Sequence, residues 1–303
     1  MGKTLLIDGN SLGYANHNMN PLTVGGKQIQ AVFGMTKQIR NLRQAFPGAD
    51  ILVMWDGKAQ WRYDLLPEYK GKREDDPKKV AMREAYREQR PLIGKMLKLV
   101  GVKQVVVSNQ EADDLAGYFV KTLGAKPDNE IVLVTGDQDW LQLIQRNVSW
   151  YDPRQDGKWV TFNAFTDKTG FLTQEAFLQG KALAGDTSDC IPPTAFRGIG
   201  EKSAPVFLAE FGSVDNFFRM VDSGEFVPKK AAHVKLAMPE AREAFRRNMR
   251  LMNLLDVKKP EPDKVTVVRG DFDEAGFKRF CEDLQFHSLL RDFHTFTKPF
   301  VKE

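Results

Sequence analysis

Short apolar runs recur through the first half of the chain, at residues 4–7, 51–55, 103–107 and 131–134, and segments of helical length separate them. These runs are mainly apolar, and their spacing is that of strands in a largely parallel sheet. Helical periodicity fits residues 28–45, 111–123 and 138–144. Beyond about residue 186 the character changes. Runs around 201–211, 214–220, 239–252 and 274–284 read as helices with little strand signal between them. The pattern therefore predicts an α/β core over 1–185, a largely parallel sheet flanked by helices, followed by a mainly helical part over 186–303.

The stretch between the second and third strands is too long for a simple connection. Met82, Tyr86, Ile93, Met96, Leu97 and Val100 recur near helical spacing, and Pro91 predicts two helices with a bend between them. The same stretch gathers charge. Residues 68–103 hold eleven basic and six acidic side chains, so this stretch carries more than the chain's whole net +4 and the remainder is slightly acidic. A basic strip beside a separate acidic region suits a polyanionic partner, although a solvated helix of mixed charge fits the count as well.

Hydrophobic residues make up 42% and charged residues 28% of 303, the balance of a globular protein. No apolar run approaches the roughly 20 residues of a membrane span, and a strand-like run begins at once after Lys3, so neither a membrane partner nor a secretory leader is expected. With only Cys190 and Cys281, neither a disulfide framework nor a thiolate metal site is expected, which points to the cytoplasm.

The chemistry lies in the acidic residues. Past the C-terminal ends of strands, where ligands of open α/β sheets bind, stand Asp8, Asp56, and the pair Asp137 and Asp139. The third strand leads to Glu111, Asp113 and Asp114 at the opening of a helix, and Asp186 and Asp189 lie three apart farther on. Any one of these alone is an ordinary helix cap. Together they are harder to dismiss, because two carboxylates about 4 Å apart repel by roughly 4 kcal/mol at an effective dielectric of 20. Cations are required, and although basic side chains could supply them, metal ions do so better. The ligands are all oxygen, and none of His17, His233, His287 and His294 is near, so Mg²⁺ or Mn²⁺ is expected over zinc. Two such ions can drive an in-line phosphodiester displacement without a protein nucleophile.

Seven motifs in order then carry a resemblance: Ile7-Asp8-Gly9-Asn10, Trp55-Asp56-Gly57, Tyr69-Lys70-Gly71-Lys72-Arg73, Glu111-Ala112-Asp113-Asp114, Thr135-Gly136-Asp137-Gln138-Asp139, Gly185-Asp186-Thr187-Ser188-Asp189 and Gly198-Ile199-Gly200-Glu201-Lys202. The chain resembles the flap endonuclease and 5′-to-3′ exonuclease family, particularly stand-alone phage enzymes and the N-terminal nuclease domain of bacterial DNA polymerase I. The resemblance implies a PIN-like core and a structure-specific 5′ nuclease acting in DNA replication, primer removal or repair. It implies a first Mg²⁺ held by Asp8, Asp56, Glu111 and Asp113 and a second by Asp137, Asp139 and Asp186, with Asp114 and Asp189 as further carboxylates of the set. Lys70 and Arg73 would touch the scissile phosphate at the base of a helical arch spanning about 68–103. Lys78, Lys79, Arg83 and Arg87 would bind DNA farther along it. Gly198, Gly200 and Lys202 would belong to a helix-hairpin-helix at about 196–212 that grips duplex backbone and is able to hold K⁺. The implied partner is DNA with a 5′ end, flap or nick, extending to an RNA–DNA hybrid; the protein would be a monomer in the cytoplasm, the host's if phage-encoded.

The chain departs from the family at Cys190-Ile191-Pro192-Pro193, where Asn and Ile-Pro-Gly are usual, and nothing specific is recognisable beyond about residue 256. Two other readings compete: a non-catalytic binder of branched DNA, and a different metal-dependent nuclease acting on RNA. The first predicts neutral residues at acidic positions, and none is seen. The second needs neither arch nor hairpin. A dinucleotide fold is disfavoured by Asp8-Gly9-Asn10 after the first strand, and no Walker-type lysine motif appears.

Overall fold

A computed structural model describes residues 2–71, 76–154, 157–195 and 198–301. In its first half, β1 (Gly2–Asp8) leads into α1 (Gly9–His17), a small ribbon of β2 (Thr23–Val24) and β3 (Lys27–Gln28), α2 (Gln30–Ala45), β4 (Asp50–Trp55) and α3 (Gln60–Leu65). There follow α4 (Pro77–Leu99), β5 (Lys103–Val107), α5 (Ala112–Leu123), β6 (Asn129–Val134), β7 (Val148–Asp152) and β8 (Lys158–Val160). The second half runs α6 (Phe165–Thr169), α7 (Gln174–Ala184), α8 (Ala204–Phe211), α9 (Val214–Asp222), α10 (Ala231–Ala237), α11 (Pro239–Met252), β9 (Val265–Val268), α12 (Glu274–Asp283), α13 (His287–Leu290) and α14 (Phe293–Thr297).

The main sheet has seven strands in the order β8-β7-β6-β1-β4-β5-β9. The inner five are parallel, and β8 and β9 join antiparallel at the two edges. Helices cover both faces. Leu5 and Ile7 of β1 enter one apolar cluster with α2 and α4, whereas Leu6 enters the other with α5 and α7. This two-sided burial explains why the inner parts of the strands read as apolar runs; each fully buried aliphatic side chain contributes about 1.5–3 kcal/mol.

Three expectations are corrected. The basic stretch forms one 23-residue helix, α4, with Pro91 inside it and not two helices bent at Pro91. Pro91 is exposed, while Gln89 on one side and Ile93, Met96 and Leu97 on the other are buried and anchor the helix on the core. Residues 138–143 form a 3-10 helix and not an α-helix. The boundary expected at residue 185 does not follow the packing: α7 and α11 pack together across it, and the chain returns after residue 264 to add β9 to the sheet and Phe277, Phe280, Phe286 and Phe300 to the cluster around Leu5 and Ile7. Among the described residues no helix is long and apolar enough to cross a membrane.

Candidate active site

Parallel strands that end together bring their C-terminal residues to one edge, and here that edge opens into a crevice of about 680 Å³. Asp8, Asp56, Asp113, Asp137, Asp139, Asp186 and Asp189 all line it. Asp8 ends β1 and caps α1, accepting from the Ser11 amide at 2.9 Å and from the Thr135 hydroxyl at 3.1 Å. Asp56 follows β4; its Oδ1 accepts from the Ala112 amide at the start of α5 at 2.8 Å and its Oδ2 from Asn10 Nδ2 at 2.6 Å. Asp113 accepts from Trp140 Nε1 at 2.7 Å. Asp137 caps the 3-10 turn, and the Asp139 amide donates to it at 2.8 Å. Gly185 ends α7 at φ 74°, in the left-handed region, and turns the chain so that Asp186 accepts from the Ser188 amide and hydroxyl, each at 2.7 Å.

Crowding these carboxylates has an electrostatic consequence. Asp8, only 5% exposed, is pushed up to about 6 by burial and then by Asp56. Asp137 rises to about 7 through desolvation between the crevice walls and then through Asp139, although its side chain reaches solvent. Burial and neighbouring carboxylates raise Asp113 well above the usual range, and Asp139 is raised by burial against the pull of Lys181. Asp186 moves the other way, because the Ser188 hydrogen bonds and Lys181 outweigh its burial.

Glu111 lies just beneath. Burial opposes its charge, but Lys70 and Arg62 overcome that and hold it below the ordinary range. Lys70 Nζ sits 2.6 Å from Glu111 Oε1 and 3.8 Å from Asp189 Oδ2. Its backbone occupies the left-handed region at φ 57°, fixed by donation of its amide to the Asp189 carbonyl at 2.9 Å, a strained geometry of the kind kept at functional positions. The Tyr69 hydroxyl bridges Glu111 and Asp189 at 3.0 and 3.1 Å.

Asp114 is corrected. It does not face the crevice: Arg62, 2% exposed, grips it with two hydrogen bonds of 2.8 and 2.7 Å and also donates to the Leu251 carbonyl on α11, while Asp114 accepts from the Glu111 amide. A carboxylate so saturated ties α3, α5 and α11 together beneath Glu111 and is not placed to meet a metal ion.

Arg83 and Arg87 of α4 line the crevice, with Arg90, Tyr86 and Tyr14 beside them. Lys78 and Lys79 are exposed in the first turn of α4 and do not line it. Arg73 lies outside the described residues. Gly198, Gly200 and Lys202 stand apart in the turn before α8, where Ser203 and Gly200 hydrogen-bond each other. A Cβ at Gly200 would meet nothing, so folding does not demand glycine there. Lys181 is a site residue not anticipated from sequence: its ammonium reaches Asp139 at 2.9 Å and Asp186 at 3.8 Å.

The donor set fits hard divalent cations. Seven oxygen-bearing acids line one crevice, several made more basic by one another, and the buried Oδ1 of Asn10 has no hydrogen-bond partner. The acids line the crevice without converging. Among the described residues no three of them already close on a single coordination point.

Sheet, acidic crevice and overlying basic helix define the class of PIN-like nuclease folds. A family model described as 5'-3' exonuclease, N-terminal resolvase-like domain, matches residues 3–170, more than half of the chain, and the chain belongs to that 5′-3′ exonuclease family. It is 32% identical over 314 residues to DNA polymerase I of Bacillus caldotenax, covering 99% of this chain and 34% of that protein. Against the thermostable DNA polymerase I of Thermus filiformis it is 30% identical over 293 residues, covering 96% and 33%. The chain thus spans about a third of the length of the curated relatives it matches. The solved structure of T5 5′-exonuclease with bound divalent metal ions (zinc) matches with a TM-score of 0.69 at 22% identity, over 98% of both chains. The catalytic core of Rad2 in complex with DNA substrate matches at 0.62 and 15%, over 100% of this chain and 92% of that one. At these identities the likeness is one of fold.

Proposed function

We propose that this protein is a structure-specific 5′ nuclease that hydrolyses DNA phosphodiester bonds at or near 5′ ends, as exonuclease and flap endonuclease, in replication, primer removal or repair. One observation carries the reading: seven carboxylates from five places in the chain line a single crevice, one wall of which is the arginine-bearing face of α4. Asp8, Asp56, Asp113 and Glu111 would hold one Mg²⁺ and Asp137, Asp139 and Asp186 a second, Asp189 assisting and Mn²⁺ able to substitute. Bound there, such a pair supplies an activated water and a stabilised leaving oxygen. The chain's own groups do the remainder. Arg83, Arg87 and Arg90 draw the phosphate backbone along the crevice wall, and Lys70, its ammonium held by Glu111, sets a positive charge beside the reacting phosphate. The turn at Gly198 to Lys202, open at Gly200, would grip duplex backbone through its amides, with K⁺ as a candidate ion.

The test uses end-labelled flap, nicked and blunt duplexes with Mg²⁺, product lengths being resolved. Wild-type protein should release short products from 5′ ends and flaps. Asp137→Ala and Asp139→Ala should abolish cleavage while the protein stays folded. Full turnover by either variant would remove the metal assignment.

A further inference from the structure

The crevice has one more cation at its edge, supplied by the hairpin between β7 and β8. Asp152, the last residue of β7, is 0% exposed and accepts three hydrogen bonds from Arg154: from its amide at 3.0 Å, from Nε at 2.8 Å and from Nη2 at 2.9 Å. This fork fixes the guanidinium plane but leaves 35% of the side chain exposed. Among the described residues Nη1 has no hydrogen-bond partner, so donors remain on the outward side.

The position of that guanidinium is specific. A Cβ built on Gly136 would fall directly on it, so Gly136 is glycine because an arginine lies across the end of β6, between Thr135 and Asp137. The Gly136 amide also approaches the Ser11 hydroxyl at 3.4 Å, and Ser11 and Asp137 both line the crevice. An arginine needed only to satisfy Asp152 has no reason to be laid over the strand end that carries a site carboxylate. A preset guanidinium with free donors at the rim of a phosphate-handling crevice has one.

We propose that Arg154 binds a non-bridging oxygen of a phosphate flanking the one cut, and thereby sets where along the strand the cut falls. This rests on the nuclease reading above. Because Asp152 already holds the guanidinium still, little side-chain freedom is lost on binding, and the contact works through hydrogen-bond geometry more than through net charge.

The experiment uses flap substrates each carrying one neutral methylphosphonate at successive positions around the cut, with kcat/KM and product lengths measured for wild type and Arg154→Ala. Wild type should lose about tenfold or more at one flanking position, the size expected when a charge-assisted hydrogen bond is removed. Arg154→Ala should lose nothing further there, should respond like wild type elsewhere, and should cut over a wider range of positions. Since Arg154→Ala strands a buried carboxylate, the double variant Asp152→Asn, Arg154→Ala is run beside it and should behave the same. Gly136→Ala, which displaces the guanidinium without removing it, should reproduce the lost sensitivity. If wild type cuts and both Arg154 variants respond to every methylphosphonate as wild type does, the inference is overturned while the nuclease reading stands. Wild type that cuts none of the unmodified substrates overturns both.

Discussion

Asp8 shows how a catalytic crevice weighs on its own fold. Its carboxyl is raised from 3.8 to about 6, by burial first and Asp56 second. A group that holds its proton more tightly folded than unfolded withdraws stability as pH rises from about 4 through about 6, and the whole penalty is present above that window. Glu111 and Asp186, held below the ordinary range, act in the opposite sense but only in more acidic solution. In chelator, therefore, the unfolding midpoint should be higher at pH 5.5 than at pH 7.5. Asp8→Asn, which keeps the helix cap, should raise the midpoint at pH 7.5 by several degrees, on the order of 2 kcal/mol, while cleavage is lost. Calorimetry in chelator and in Mg²⁺ checks this; a midpoint unmoved by the substitution would mean that Asp8 carries no such penalty. The identity of the acids was legible in sequence because strand ends converge. Which of Asp113 and Asp114 faces the crevice was not, since that is decided by Arg62, 52 residues away from Asp114. Lys181 was illegible for the same reason: nothing in Lys181-Ala182-Leu183-Ala184 tells that the helix aims its ammonium at Asp139.

At the scale of elements, α4 divides into two regions with different work. Its first turn, with Lys78 and Lys79, is exposed, and its later turns bury Tyr86, Gln89 and Ile93 while presenting Arg83, Arg87 and Arg90 to the crevice. Gln89 secures it by accepting from the Ala31 amide at 2.8 Å and contacting His17 Nδ1 at 3.0 Å. Lys70, just before the helix, touches Glu111. A cation beside the reacting phosphate lowers the barrier, whereas distant ones supply salt-dependent attraction. Lys70→Ala should slow single-turnover cleavage at saturating enzyme by about 10³-fold, on the scale of comparable phosphoryl-transfer arginines, with a smaller effect on affinity. Lys78→Ala with Lys79→Ala should instead weaken binding and flatten its salt dependence. Recovery of the wild-type rate by Lys70→Ala at saturation would make Lys70 an ordinary surface cation. The helix itself was legible from its apolar spacing; its continuity through Pro91 was not, because packing on both sides of the proline overrides a local preference to bend.

Over the whole molecule, the parallel core and its layers followed from the apolar runs, but the extent of the core did not. The segment 265–268 is short and mostly exposed, and reads as a strand only beside β5. The aromatic residues after it read as an independent helix until α2 and α4 are seen packed against them. Four buried Phe side chains at about 1.5–3 kcal/mol each rival the 5–15 kcal/mol that holds a typical domain together. Removal of residues 265–303 should therefore lower the unfolding midpoint by more than 10 °C or leave the protein insoluble, as scanning calorimetry will read. An unchanged midpoint would make this segment a dispensable tail. The strand order also bears on how the molecule is made. The middle strand, β1, is the first to be synthesised, yet one of its neighbours ends at Val134 and the closing edge strand at Val268. At roughly 5–20 residues per second, a nascent chain spends on the order of tens of seconds with an unfinished sheet and open edges. Yield in a foreign host should then depend on translation speed and chaperone supply at least as much as on the stability of the finished fold.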